Sequence, residues 1–365
     1  MILLNDFKAE PPELIQQELE AVKRVVQSGW YVLGNEVKQF ESSWAKCCDA
    51  AHAVGVGNGM DAIEIGLRAS GIGVGDEVIT TPMTAFATVL GILRAGATPV
   101  LADIDPETAL LDMKSVDRCI SPKTRALLLV HLYGQVGDMA AWQVFCSSRG
   151  ILLLEDCAQA HLARWNGQAA GSFGLWGAYS FYPTKNLGAL GDGGALVTGS
   201  SEIADQAMSL RNYGQSERYH HPLLGMNSRL DELQAAVLIV RLAWLDSFTA
   251  RRREIANAYF SGISNGAVKL LSRPLHEENH VYHLFVLLSE EPQRLAAHLK
   301  LHGITSFSHY PVPVHLQPPC TELRADPSGL RHAEMHADRC LTIPCHPQMT
   351  DDQVKSVIEA INGFR

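Results

Sequence analysis

The 365-residue sequence lacks the features that mark membrane, secreted and nucleic-acid-binding proteins. It has no run of about 18 uninterrupted apolar residues, and segment 1–6 has neither a basic lead nor a long apolar stretch. The 30 Lys and Arg residues are outnumbered by 39 Asp and Glu residues, and the net charge of −9 disfavours binding to nucleic acid or to an anionic membrane. These absences predict a soluble, cytoplasmic protein.

Patterns of cysteine and metal ligands are also sparse. The eight cysteines include the adjacent Cys47 and Cys48, which are poorly placed for a disulfide, and there is no Cys-x-x-Cys clamp. His332 and His336 are spaced by one helical turn with Cys340 nearby, but ordinary helical histidines explain this spacing better than a zinc site does. We therefore expect reduced thiols and no metal.

The sequence does contain apolar segments that alternate between strand-like and helix-like spacing. The predicted strands are Glu77–Thr81, Thr98–Ala102, Ala126–His131, Ile151–Asp156, Trp176–Ser180 and Ala195–Thr198. Helical stretches between most of them predict an α/β fold, in which a mainly parallel sheet is wrapped by helices. We expect a large domain over 1–245 with an N-terminal helical arm, and a smaller α+β domain over 246–365.

Four further segments complete the predicted organisation. Pro11 to Gly29 has the spacing of an amphipathic helix, and a long helical pattern over 231–259 is broken near Asp246. Tyr282–Val286 is predicted as a strand. Gly71–Asp76 imitates a dinucleotide-binding fingerprint, but it follows a helix and precedes a strand, so we interpret it as a helix-ending turn.

Lys185 stands in a polar, glycine-bounded turn that follows an apolar strand. An amine displayed in this way can hold an aldehyde cofactor covalently and become a free base once substrate displaces it. An isolated lysine is more often a solvated surface residue. The functional interpretation is favoured here because residues upstream supply the other parts that such a cofactor needs.

Strand 151–156 ends in two carboxylates, at the edge where open α/β sheets carry their chemistry. Asp156 is placed to hydrogen-bond a pyridinium nitrogen, although a helix cap is the alternative. Gln159 could donate to the ring hydroxyl. Glycines 57 and 59 lead into a helical segment whose exposed amides suit a phosphate, and Ser180 could add a hydroxyl; a capped turn without a ligand is the alternative.

Together these residues resemble the DegT/DnrJ/EryC1/StrS family of pyridoxal-phosphate-dependent nucleotide-sugar aminotransferases, which share the aspartate-aminotransferase fold (fold type I). The resemblance spans nearly the whole chain. The matching segments are GNGMDAIEI (57–65), TPMTAFATV (81–89), EDCAQAHL (155–162), SFYPTKNLGALGDGG (180–194), RNYG (211–214) and GMNSRLDELQAA (225–236). Two departures are Met60, where many relatives have Thr, and Leu162, where relatives have the Gly of a tight turn.

The resemblance implies pyridoxal 5′-phosphate as cofactor, with its pyridoxamine form in the cycle. Its implied contacts are Lys185 as covalent anchor, Asp156 at the pyridine nitrogen, Gln159 at the ring oxygen, Phe86 stacked on the ring, and the Gly59 and Met60 amides with Ser180 at the phosphate. In the family the residue matching Asn227 reaches this phosphate from a second subunit, which implies a homodimer with shared active sites.

Residues that contact substrate are implied less directly. Arg229 either meets a substrate carboxylate or braces the subunit interface. Loop Ser308–Gln317 corresponds to a family loop near the sugar, so His309 and His315 are candidates for contacts with sugar hydroxyls or phosphate.

The implied reaction moves the amino group of L-glutamate to a keto group of a nucleotide-linked sugar. The Asn58–Ala62 form of the phosphate turn resembles relatives that aminate carbon 3, so the predicted substrate is a dTDP-3-keto-6-deoxyhexose. The 3-amino product would serve polysaccharide, lipopolysaccharide or glycosylated-metabolite synthesis. Amination of carbon 4, and another pyridoxal enzyme such as a dehydratase, are the alternatives. A regulatory protein with this fold would need a DNA-binding module, for which the chain has no spare basic segment.

Overall fold

The computed structural model describes residues 1–365. The α-helices are α1 Pro12–Ser28, α2 Asn35–Cys47, α3 Gly59–Ala69, α4 Phe86–Arg94, α5 Met113–Cys119, α6 Met139–Arg149, α7 Ser201–Leu210, α8 Glu232–Leu242, α9 Leu245–Gly262, α10 Pro292–Leu301, α11 Arg331–Arg339 and α12 Asp351–Asn362. The strands are β1 His52–Val56, β2 Glu77–Thr80, β3 Thr98–Leu101, β4 Thr124–Val130, β5 Leu152–Asp156, β6 Arg164–Trp165, β7 Gln168–Ala169, β8 Gly177–Ser180, β9 Gly194–Thr198, β10 Val268–Leu270, β11 Phe285–Ser289 and β12 Cys340–Ile343.

A seven-stranded sheet of order β1-β9-β8-β5-β4-β2-β3 forms the centre of the molecule. Only β9 runs against the other six strands, which confirms the prediction of a mainly parallel sheet. The segment between β8 and β9 contains no helix, and a parallel crossover would need a longer, helical connection. Strand β1 is not among the predicted strands, because its glycine-containing sequence also fits the phosphate turn that follows it.

Strand β4 shows how the sheet is covered on both faces. Leu127 and Leu129 belong to an apolar cluster with α2, α6 and α8, whereas Ala126 and Leu128 join a second cluster with α3 and α7. This division follows from the alternation of side chains along a strand. Leu127 and Leu128 are fully buried, and each such side chain contributes about 1.5–3 kcal/mol to stability. The near-continuous apolar run is therefore what a sheet covered on both sides requires.

A second, antiparallel sheet of order β10-β11-β12 packs with α9, α10 and α12 around its own apolar cluster. The strand predicted at 282–286 begins later, at Phe285, because Tyr282 has a left-handed backbone with φ 45°. Helix α9 starts at Leu245 and contributes Tyr259 to the C-terminal cluster. We propose the domain division at 245/246 on this basis.

The helix predicted over Pro11 to Gly29 is confirmed as α1, which ends at Gly29 with φ 66° in the left-handed conformation typical of helix ends. The break predicted near Asp246 lies just before α9, where the axes of α8 and α9 differ by 60°. No single helix has both the length and the hydropathy needed to span a membrane. The bent pair α8 and α9 meets those criteria only when its two helices are counted together.

Candidate active site

Asp156 lies at the carboxyl end of β5, in the middle of the central sheet. Its carboxylate is almost fully buried and accepts two hydrogen bonds, from Thr88 Oγ1 to Oδ2 at 2.7 Å and from Ala158 N to Oδ1 at 3.1 Å. The Thr88 hydroxyl is itself within 2.7 Å of Thr84 Oγ1. These partners fix the carboxylate at the sheet edge where ligands bind in open α/β folds.

Glu155, the preceding residue, has its carboxylate in the protein interior. It accepts from the amides of Gly171, Phe173 and Gly174, each at 2.8 Å, and it lies 2.9 Å from His131 Nε2. Successive strand residues face opposite sides of the sheet, so only Asp156 is free to face a ligand. Glu155 holds the loop that follows β7.

Two groups of side chains could act as metal ligands: one found in the structure and the pair His332 and His336 noted in the sequence. His131, Glu155 and Cys157 lie close together in the interior, but four hydrogen bonds already engage the Glu155 oxygens. His336, which the sequence spaced with His332, instead lies 2.8 Å from the Tyr133 hydroxyl. In each group, hydrogen bonds within the protein therefore already engage one of the potential ligands.

Lys185 lies in the segment that joins β8 to β9. Its backbone N–H donates to Tyr182 O at 2.8 Å, and Ala189 N donates to Phe181 O at 2.7 Å, which closes a compact turn. The residue is half-buried, and burial of its amino group lowers the pKa to about 8, while the nearby Asp156 carboxylate acts in the opposite direction. At pH 7 a larger fraction of this amine is therefore neutral, and able to react with an aldehyde, than of a lysine with an unperturbed pKa.

The start of α3 forms an anion cradle beside Ser180. Asn58 caps the helix by accepting from Asp61 N at 2.9 Å, whereas the amides of Gly59 and Met60 meet no protein acceptor. A Cβ at Gly59 would lie 2.7 Å from Ser180 Cβ, so only glycine allows this close approach. Two free amides at a helix N-terminus next to a hydroxyl suit a phosphate group, and this part of the site fits pyridoxal phosphate.

Gln159 has a fixed amide orientation. Its Oε1 accepts from Tyr133 N at 2.6 Å, and its Nε2 donates to the Tyr310 hydroxyl at 3.1 Å. Because a backbone N–H can only donate, the amide oxygen faces Tyr133 and the NH₂ faces the site. Burial and the negative charge of Asp156 raise the pKa of Tyr310 to about 12, partly offset by the bond from Gln159. Asp156, Gln159 and Tyr310 therefore surround one space.

The two predicted histidines of loop Ser308–Gln317 have different surroundings. His309 lies close enough to Lys185 that burial, followed by the charge of Lys185, lowers its pKa to about 4, and its Nδ1 is 2.8 Å from Thr342 Oγ1. His315 instead pairs with Glu334 on α11 through Nε2 at 3.0 Å.

Phe86, Asn227 and Arg229 are the remaining predicted site residues. Phe86 is half-buried at the first position of α4, two residues before Thr88. Asn227 is exposed, and Arg229 Nη1 donates to Asn212 Oδ1 at 3.1 Å while its guanidinium lies 5.4 Å from the centre of the Tyr213 ring. An exposed amide at Asn227 is available to a second subunit.

The sequence matches the model of the DegT/DnrJ/EryC1/StrS aminotransferase family over residues 12–362. The chain belongs to this family. It is 44% identical over 359 residues to the dTDP-3-amino-3,4,6-trideoxy-alpha-D-glucose transaminase of Streptomyces venezuelae, covering 98% of this chain and 95% of that protein. It is 41% identical over 350 residues to the dTDP-3-amino-3,6-dideoxy-alpha-D-galactopyranose transaminase of Aneurinibacillus thermoaerophilus, covering 96% of each. A "Pleiotropic regulatory protein" of Geobacillus stearothermophilus is 40% identical over 361 residues, with 98% and 97% coverage.

Solved structures agree with this family assignment. The S. venezuelae protein DesV, in complex with a ketimine intermediate, superposes with a TM-score of 0.95 at 43% identity, covering 99% of this chain and 97% of that one. Bacillus subtilis NtdA with bound cofactor PMP gives a TM-score of 0.89 at 27% identity, with 97% and 82% coverage. The predicted fold type, aminotransferase class and pyridoxal-phosphate cofactor are confirmed.

Sequence reasoning missed two histidines near Lys185 in this aminotransferase. His161 is fully buried, with Nε2 3.0 Å from Ser180 O, and burial together with the charge of Lys185 lowers its pKa to about 3. His283 is also buried, and the same two causes lower its pKa; its Nδ1 lies 3.2 Å from Asn186 Oδ1. Both rings are therefore neutral at pH 7 and add no positive charge beside the lysine.

Leu162 stands where the family resemblance implies the Gly of a tight turn. Its φ of 69° lies in the left-handed region, where a side chain is strained. This chain therefore adopts a backbone conformation that favours glycine after Gln159, at an energetic cost.

Uptake of pyridoxal phosphate by the cofactor-free aminotransferase should follow the lowered pKa of Lys185. The neutral amine is the reacting form, so the rate of uptake is expected to rise up to about pH 8 and then to level off. With an unperturbed lysine, whose pKa is 10.5, the rate would continue to rise up to about that pH. Absorbance-monitored uptake between pH 6 and 11 measures this, and a rise confined to pH above 10 would contradict it.

The stability of the cofactor-free protein should also depend on the pKa of Lys185. Between pH 8 and 10.5 the unfolded chain binds the Lys185 proton more tightly than the folded protein does, so the free energy of unfolding should increase with pH. Lys185→Met should lose this dependence.

Proposed function

We propose that the protein transfers the amino group of L-glutamate to the C3 keto group of a dTDP-linked keto-6-deoxyhexose, giving a 3-amino sugar. Two observations support the transamination chemistry: the Asp156 carboxylate is close enough to act on the Lys185 amine, and the free amides at the start of α3 lie beside Ser180. The names of the S. venezuelae and A. thermoaerophilus relatives support the nucleotide and carbon 3.

Pyridoxal phosphate supplies an aldehyde that condenses with amines and a ring that accepts electrons when a C–H bond breaks. Lys185 would hold this group covalently, and its Nζ, once released by substrate, would take the proton from the substrate carbon. Asp156 would keep the ring nitrogen protonated, Gln159 Nε2 would donate to the ring oxygen, and Phe86 would cover one face of the ring. The amides of Gly59 and Met60 would bind the phosphate together with Ser180.

Neutral histidines favour Lys185 as the group that moves the proton. His161 and His309 have pKa values lowered to about 3 and about 4, so neither is a useful acid near pH 7. The lysine, with its pKa near 8, matches the pH at which proton transfer has to occur. His309 is proposed to contact the sugar, and Arg229 either to contact a substrate carboxylate or to brace the subunit interface. His315 is a weaker candidate because Glu334 engages it.

The proposed function is tested by carrying out the two half-reactions separately and monitoring each through the absorbance of the cofactor. L-Glutamate should convert the bound cofactor to its pyridoxamine form, and a panel of nucleotide keto sugars should then be tested for converting it back. Reconversion by a dTDP-3-keto-6-deoxyhexose is the expected result. Reconversion by 4-keto sugars alone would indicate amination at carbon 4, and failure of glutamate in the first step would indicate a different class of pyridoxal enzyme.

A regulatory role is the second candidate, because a relative at 40% identity is named for one. Such a role does not require substrate turnover, so it would be favoured by a protein that binds pyridoxal phosphate but completes neither half-reaction. The lowered pKa of Lys185 and the ordered partners of Asp156 favour catalysis, since a sensor gains nothing from a reactive amine. A cytoplasmic location and a role in polysaccharide or lipopolysaccharide synthesis stay predictions.

The proposed active form is a homodimer in which Asn227 reaches the partner's phosphate site. Exposure of Asn227 in the single chain, close to exposed Tyr213 and Leu224, supports this. Asn227→Asp places a negative charge against the phosphate and should weaken cofactor binding by roughly tenfold or more.

Mixing the Lys185→Ala and Asn227→Asp variants, at a cofactor concentration too low to saturate the Asn227→Asp site, tests whether the site is shared. If Asn227 acts across the interface, hybrids of Lys185→Ala and Asn227→Asp subunits contain one site that carries neither change. Activity should therefore reappear when the two variants are refolded or co-expressed together. Absence of activity in hybrids isolated with two different tags would place Asn227 in the same subunit as the lysine it serves, contrary to the proposal.

A further inference from the structure

Tyr133 occupies the short turn Leu132–Gly134 that follows β4, next to Asp156 on the neighbouring strand. Its side chain is almost fully buried, and its backbone has φ 60° and ψ 1°, a left-handed conformation that a bulky residue adopts only when its surroundings enforce it. None of the chemistry described above uses this residue. Its contacts show what the enforced conformation achieves.

The backbone of Tyr133 controls Gln159. Its N–H donates to Gln159 Oε1 at 2.6 Å, and this bond turns the Gln159 NH₂ toward Tyr310. Gly134 follows with φ 96°, and a Cβ there would lie 2.7 Å from Gln159 O. The turn is therefore packed directly against the residue that faces the cofactor ring oxygen.

The side chain of Tyr133 reaches the C-terminal part of the molecule. Its hydroxyl lies 2.5 Å from His309 O and 2.8 Å from His336 Nε2 on α11, and the Tyr133 and His336 rings stack with centroids 5.9 Å apart. The hydroxyl has one hydrogen and the carbonyl can only accept, so the hydrogen goes to His309 O. His336 Nε2–H then donates to the tyrosine oxygen.

We propose that Tyr133 is a positioning residue that sets the His309–Tyr310 segment over Gln159, and that its hydroxyl thereby determines affinity for the keto sugar. The inference rests on the proposed function. A nucleotide-linked sugar is much larger than glutamate and has to extend from Lys185 past this segment, whereas the backbone bond to Gln159 serves the cofactor. Loss of the hydroxyl therefore affects binding of the sugar and leaves the cofactor in place.

Tyr133→Phe removes only the hydroxyl and is the central variant. Its KM for the keto sugar should rise roughly tenfold, the effect of about one lost hydrogen bond, while kcat and the KM for glutamate stay within about twofold. Cofactor absorbance and affinity should be unchanged. Tyr259→Phe is the matched control, because that buried hydroxyl also donates to a carbonyl, Pro344 O at 2.6 Å, but in the C-terminal core. An equal rise of KM in the control, or no rise in Tyr133→Phe, overturns the proposal.

A substitution of His336 distinguishes a positioning role of the Tyr133 hydroxyl from an effect on the stability of the whole protein. Tyr133→Phe leaves the buried His336 Nε2–H without an acceptor and should lower Tm, whereas the double variant Tyr133→Phe/His336→Leu removes both partners and should recover much of that loss. The KM for the sugar should stay high in the double variant, because His309 O still lacks its donor. If KM recovers together with Tm, the hydroxyl acts only through stability and the proposal is wrong.

Assays of the wild-type enzyme distinguish a failure of this inference from a failure of the proposed function on which it rests. If the wild type fails with dTDP-3-keto sugars but uses another acceptor, the proposed substrate is wrong, and the same KM comparison is made with the acceptor that it uses. If the wild type turns over the expected sugar while Tyr133→Phe binds it equally well, only the role of Tyr133 fails.

Discussion

Lys185→Ala is expected to lower transamination by about 10⁴-fold or more, because we propose that one amine both anchors the cofactor and moves the substrate proton. The visible absorbance of covalently held cofactor should disappear, while the fold persists because the half-buried side chain makes no hydrogen bond that closes the turn. Single-turnover rates of each half-reaction, normalised to bound cofactor, measure the loss. A variant with wild-type turnover would exclude Lys185 as the anchor.

Two companion measurements separate anchoring from proton transfer. Lys185→Arg keeps a positive charge near Asp156 but cannot condense with the aldehyde, so it should be as inactive as the alanine variant. A small primary amine added to Lys185→Ala should restore part of the proton transfer, since the missing group is a base at a defined position. Full activity in Lys185→Arg would show that charge alone is needed, against the proposed role.

Asp156→Asn is expected to slow proton abstraction on the order of 10²- to 10³-fold, because an amide cannot hold a proton on the ring nitrogen as a carboxylate does. The shape of the side chain is kept, so cofactor binding should weaken far less than turnover. The negative charge of Asp156 also raises the pKa of Lys185, so the pH profile of cofactor uptake should move to lower pH in this variant. Unchanged turnover and an unchanged profile would remove Asp156 from this role.

Asp103→Asn is the matched control for Asp156→Asn. Asp103 is equally buried after a parallel strand, but its carboxylate accepts from the amides of Ile104, His332 and Ala333 at 2.8–2.9 Å instead of facing the site. Turnover per folded molecule should therefore hardly change. Thr88→Val, which removes the donor to Asp156 Oδ2, should give a loss between those of the two aspartate variants.

The sequence predicted those parts of the site that are encoded by neighbours in the chain. An apolar strand that ends in Asp156, a glycine-led helix start at Gly59 and a glycine-bounded turn around Lys185 each have a local signature, and the structure brings all three to one edge of the sheet. The fold class followed from the same periodicity. The antiparallel direction of β9 did not, because strand direction depends on the connection to its neighbour and not on side-chain alternation.

Other parts of the site could not be predicted from local patterns. Thr88 and Asp156 are 68 positions apart, and Gln159 and Tyr310 are 151 apart, so only packing brings each pair into contact. The contact between His315 Nε2 and Glu334 on α11 likewise joins distant segments, and the loop sequence alone did not predict it.

The order of residues along the chain by itself determined the reactive groups and the strands that present them, because strand ends, helix starts and tight turns are set by neighbouring residues. The tertiary structure decided the environment of those groups. Burial lowers the pKa of Lys185 to about 8, and contacts between distant segments place Thr88 on Asp156 and Tyr133 between Gln159 and His309. Desolvation and long-range hydrogen bonds exist only after the sheet and the C-terminal part have packed together.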